Sequence, residues 1–98
     1  SIIATAESKI LALQSKAETE MYDLLEQYKA AETDSEKTSL LLKGYGKLQR
    51  YTDEFHALLD ELEKDLKQYG YPTDIIADYE RQFDELVAQK MEEVRQSL

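Results

Sequence analysis

The chain has one histidine, His56, and Asp53 stands three residues before it. On a helix that spacing places both side chains on one face. A carboxylate-x-x-His pair is half of the ligand set with which a helical bundle holds two iron ions. The other half needs a second such pair and two more inward carboxylates, and no second histidine exists to supply it. The acidic pairs Glu61/Asp65, Asp84/Glu85 and Glu92/Glu93 would suit a divalent ion, yet no Gly-centred run of oxygen ligands surrounds them. They sit among Lys64, Lys67, Arg81, Lys90 and Arg95, the pattern of a solvated, salt-laced helix face. Lys43-Gly44-Tyr45-Gly46-Lys47 lacks the spacing and the Lys-Ser/Thr ending of a phosphate loop. No second base lies near His56, and no glycine-rich strand-to-helix turn exposes a nucleophile. The expectation is a non-enzymatic chain with no catalytic, metal-binding or cofactor-binding residue.

Composition narrows the partners. The net charge is −9, spread along all 98 residues. A nucleic-acid binder needs a basic footprint to displace counterions from phosphates, and none is visible. No helix carries the Lys-rich polar face that an anionic membrane surface would attract. Cysteine is absent, which removes disulfides and thiolate metal ligands. No apolar run approaches the roughly 20 residues that span a bilayer. The chain starts at Ser1, so it is expected to be a processed product or a domain of a longer protein. A membrane would then be reached only through a segment outside this chain.

The elements that position these residues follow from periodicity. Ile3, Ala6, Ile10, Leu13, Ala17, Met21, Leu24, Tyr28 and Ala31 recur by threes and fours, predicting a helix over 3–31 with one narrow apolar stripe. Thr33 with Glu36 fits a capping box, and Asp34 or Ser35 would serve as the cap equally; either choice starts a second helix near residue 35. There Leu41, Tyr45, Leu48, Thr52, Phe55, Leu59, Leu62, Leu66 and Tyr69 alternate by four and three, a heptad seam. Gly70 and Pro72 stop it at residue 69. Thr73 or Asp74 opens a third helix over 73–97, with Ile76, Tyr79, Phe83, Leu86 or Val87, Met91, Val94 and Leu98 on its apolar face. Short polar connections favour antiparallel neighbours. The reading is a single all-α domain, an up-down-up three-helix bundle with coiled-coil-like packing, its helices roughly 44, 52 and 37 Å long.

Two features stand outside that frame. Gly44 and Gly46 interrupt a helix, where each costs roughly 1 kcal/mol relative to Ala. Tight packing, a mild kink, a hinge or a partner contact anchored by Tyr45 would each account for them. Seven tyrosines are present. Tyr28, Tyr45, Tyr69 and Tyr79 lie on seams and are assigned to the core or its boundary. Tyr22, Tyr51 and Tyr71 fall off the main stripes, where they would either cover the bundle ends or stand exposed. Tyr22, Tyr45, Tyr51 and Tyr71 are therefore the candidate partner contacts, since exposed tyrosines bury area with little entropy loss.

The segment Leu58 to Tyr79, LLDELEKDLKQYGYPTDIIADY, resembles a helical stretch of uncharacterised membrane-anchored Firmicute proteins, with its Leu-Lys-x-Tyr-Gly ending at Gly70. The resemblance implies a Gram-positive, extracytoplasmic bundle tethered through a preceding membrane helix. It carries no catalytic residue. Three functions are consistent with the sequence. The first is a structural or protein-interaction module of an envelope protein. The second is a self-associating coiled-coil dimer that shares the second helix's seam. The third is a small-ligand or metal sensor that uses the bundle interior.

Overall fold

A computed structural model describes residues 1–97. The expected place of Leu98 on the third stripe lies outside the described residues. Three helices, α1 (Ile2–Ala30), α2 (Asp34–Gln68) and α3 (Asp74–Ser97), make an all-α rod of 56 × 17 × 17 Å.

Each boundary has a local cause. The Ser1 hydroxyl accepts from the Ala4 N–H at 3.1 Å and so begins α1. Ala31 turns extended at φ −65° and ψ 136°, which ends it. Thr33 is the cap of α2, its hydroxyl accepting from the Glu36 N–H at 3.1 Å. Glu36 departs from a strict capping box. Its carboxylate accepts from the Glu32 N–H at 3.4 Å, one residue earlier than the cap itself. At the other end Gly70 takes φ 71°. The Tyr71 N–H donates to the Leu66 carbonyl at 2.9 Å, and the Gly70 N–H donates to Lys67 at 3.2 Å. These two bonds define a Schellman stop, and only glycine adopts that left-handed φ without strain.

Cross-helix contacts set the topology. Lys9 meets Glu61, and Glu20 meets Lys47 and Tyr51, so α1 and α2 run antiparallel. Glu7 meets Tyr79 and Tyr22 meets Lys90, so α3 returns in the direction of α1.

The core is concentrated at one end. Phe55, Leu59, Leu62, Leu66 and Ile76 form a buried cluster, closed by Ile2, Ala6, Ile10, Leu13, Ile75, Tyr79 and Phe83. The Phe55 and Phe83 rings stack at 4.2 Å between centroids. α1 and α2 stay close along the rod, while α3 approaches them closely at few places. In the half away from this cluster no described α3 side chain is buried. Leu24 and Tyr51 are the buried residues of that half.

Four sequence expectations differ from the structure, all for geometric reasons. Tyr45, assigned to the seam, is 56% exposed, and Gly44 faces α1 in its place. A straight helix of 3.6 residues per turn drifts about 20° per heptad from a 3.5-residue repeat. Traced back from Phe55, the inward line therefore runs through Tyr51, Leu48 and Gly44 rather than Thr52 and Tyr45. The same drift buries Tyr51, which is 4% exposed and is no surface contact. Tyr69 lies at the end of α2, past the last packed layer, and is exposed. A smaller shift makes Ile2 rather than Ile3 the first α1 side chain on the core.

Gly44 and Gly46 are not explained by close approach. A Cβ on Gly44 would meet Met21 and Leu24 side chains at 3.9 and 4.0 Å, ordinary contact, and one on Gly46 would meet nothing within 4 Å.

Candidate functional site

The residues first considered for chemistry lie apart on the surface. His56 is exposed, its ring tilted against Phe55 and Phe83 at 6.2 and 6.3 Å between centroids. Asp53 accepts instead from the Gln49 side chain at 3.0 Å. The acidic pairs are engaged by cations: Glu61 with Lys9 at 3.4 Å, Glu85 with Arg81 at 3.4 Å, and Glu93 with Lys90 at 3.6 Å. Exposed pairs of this kind contribute about 0–1 kcal/mol each. Among the described residues no group of three or more His, Asp or Glu is placed to hold a metal ion.

What the fold does bring together is an apolar cavity of about 430 Å³ between α1, α2 and the second half of α3. It exists because α3 stands off. Leu13, Ala17 and Met21 of α1, Leu48 and Tyr51 of α2, and Phe83, Val87 and Val94 of α3 face it. Its polar fringe includes Glu18, Tyr22, Lys90 and Glu93. The Lys90 ammonium donates to the Tyr22 hydroxyl at 2.9 Å. That bond holds the lysine charged above the usual range, and Glu93 and Glu18 reinforce the shift. The sequence marks the α3 wall, Phe83, Val87 and Val94, as apolar but does not reveal the cavity, because one helix's pattern does not show how far its neighbour stands away.

Two tyrosine-carboxylate bonds brace the walls. Tyr51 donates to the Glu20 carboxylate, which also holds Lys47 at 3.1 Å. Tyr79 donates to Glu7 at 2.8 Å across α3 and α1. Burial first, then the bond to Glu7 and its negative charge, push the Tyr79 phenol up to about 12 from 10.0. A raised folded-state value favours folding while the phenol is neutral, so its contribution is intact below pH 10 and is lost between pH 10 and about 12. Tyr79→Phe is expected to flatten the fall of stability over that window. Urea denaturation at pH 9 and pH 11.5, on wild type and variant, measures it, and equal slopes would refute the assignment.

No protein-family model, curated protein or solved structure matches this chain.

The remaining candidate contacts are on the outside. Tyr22, Tyr45 and Tyr71 are 48%, 56% and 57% exposed. Tyr71 is joined by Tyr69, whose ring lies 6.4 Å away at the tip of the rod, on either side of the Schellman glycine. Leu42, 67% exposed, accompanies Tyr45 one helical turn away on α2. No helix among the described residues is long and apolar enough to cross a membrane.

Proposed function

We propose that this domain is a non-enzymatic protein-interaction module, a rod that presents aromatic anchors at one end to a protein partner. The observation that carries the reading is the Tyr69–Tyr71 pair. Both rings are exposed, they touch one another, and a hydrogen-bonded Schellman turn followed by Pro72 holds their backbone. Aromatic side chains fixed before binding lose little freedom on association, which is why such residues dominate interface energetics. Leu42 and Tyr45 offer a second apolar contact on the half of α2 nearer its start. The seam of α2 is filled within the chain by Phe55, Leu59, Leu62 and Leu66, which leaves less of it for a coiled-coil dimer. By its resemblance over Leu58 to Tyr79, the rod would project from an envelope anchor outside this chain.

Photo-crosslinking tests the reading. A benzophenone side chain at position 71 is expected to capture one protein in the producing cell, and one at the exposed polar position Gln89 is not. The double variant Tyr69→Ser/Tyr71→Ser should remove partner binding. It should change stability by no more than about 0.5 kcal/mol, as exposed substitutions do. Equal capture from positions 71 and 89 would count against the proposal.

A further inference from the structure

We propose that the cavity between α1, α2 and the second half of α3, where aromatic rings and thioethers meet the carboxylates of Glu18 and Glu93, binds a small lipophilic cation.

Size suits a small occupant. A volume of about 430 Å³ lies within the roughly 300–1,000 Å³ of small-molecule pockets. A helix is roughly 10–12 Å across and rises 5.4 Å per turn, so the space holds only about one turn of a docked helix. The occupant is a compact molecule.

The lining selects its chemistry. Tyr22, Tyr79 and Phe83 contribute aromatic surface. The Lys90 ammonium already sits over the Tyr22 ring at 5.5 Å and Phe83 stacks on Phe55, so the Tyr22 contact shows within the chain the attraction of an aromatic face for a cation. Met21 and Met91 sit on opposite helices, and unbranched thioethers repack around varied apolar shapes. Glu18 and Glu93 give the fringe two negative charges against the one positive charge of Lys90. Lys90 and Glu93 pair with one another at 3.6 Å, which leaves a net negative charge at Glu18, whose carboxylate accepts from the Gln14 side chain at 3.2 Å. An anionic head would meet two carboxylates for one ammonium. The chain's net charge of −9 adds a long-range attraction for cations.

The test is an NMR titration of the whole chain with three naphthyl probes of nearly equal size. These are 2-naphthylmethyl-trimethylammonium, the neutral 2-naphthylmethanol and the anionic 2-naphthylacetate. The cation is expected to shift the Met21 and Met91 methyl signals and to bind at least tenfold more tightly than the anion. Ala17→Phe, which places a ring in the cavity, should weaken cation binding at least tenfold. Val87→Phe serves the same purpose should the first variant fail to fold. Glu18→Gln/Glu93→Gln should bring the cation's affinity down toward that of the neutral alcohol. No binding at millimolar probe, equal binding of all three, or shifts that spare both methionines would overturn the assignment. So would the same methyl shifts on raising protein concentration alone, which would give the cavity to a second copy of the chain.

Discussion

Leu66→Ala is expected to cost about 2–5 kcal/mol, the range for truncating a fully buried leucine. Leu66 is 1% exposed and packs in one cluster with Phe55, Leu59, Leu62 and Ile76. Small domains have only about 5–15 kcal/mol in total, so this single change removes a large part of the stability. For a chain of this length the corresponding fall in Tm is roughly 8–40 °C. Leu86→Ala makes the informative comparison. Leu86 is half-buried and faces the cavity, so its truncation exposes no close-packed void and should cost less than about 2 kcal/mol. Thermal and urea unfolding of the two variants measures the difference. Equal losses would mean that the second half of α3 packs as tightly as the first, and both the asymmetric core and the cavity would be wrong.

The second large effect has the opposite sign. Gly44→Ala and Gly46→Ala are each expected to stabilise the domain by about 1 kcal/mol, through the smaller backbone freedom of alanine in the unfolded chain. Neither methyl has to displace anything. At Gly44 it reaches ordinary contact with Met21 and Leu24, and at Gly46 it points into open space. The double variant should therefore raise Tm by roughly 8–16 °C. A neutral or negative result would mean that the helix bends at this segment and that alanine opposes the bend. The glycines survive at a stability cost that close packing does not explain. If the double variant is more stable yet binds the protein partner proposed above less well, local pliability near Tyr45 is what they provide.

Much of the architecture is legible without coordinates because its causes are local. The Thr33 hydroxyl caps α2 from three residues away, and Gly70 ends the same helix through bonds to Leu66 and Lys67. Stripes spaced by threes and fours over more than twenty residues specify three long helices, and short polar connections force them antiparallel. The salt-laced outer faces follow from the same spacing, as the Arg81–Glu85 and Lys67–Glu63 pairs illustrate.

The phase of each stripe is a different matter. Successive residues on a helix are about 100° apart, and a heptad and a straight-helix pattern diverge by only about 20° per seven residues. Within one segment, Gly44 or Tyr45, and Tyr51 or Thr52, are nearly equivalent choices for the inward position. The bulky apolar residue looked the better seam member at position 45, and the structure turns it outward. Tyr51 is satisfied inside because Glu20, on another helix, accepts its hydroxyl, a partner no local spacing announces. The candidate cavity has the same origin. Its walls are residues that each sequence stripe marks as apolar, but its existence depends on the distance between helices.

By itself, then, the sequence determined three helices, their starts and stops to within one residue, and which broad face of each is apolar. Those properties arise from hydrogen bonds and rotamer preferences within a turn or two of chain. Tertiary structure alone decided that the core closes at the Leu66 end and that Tyr51 is inside while Tyr45 and Tyr69 are out. It alone left α3 standing off to leave a cavity fringed by Glu18, Lys90 and Glu93. These depend on how three helices of unequal length share their faces, a balance of packing between residues tens of positions apart.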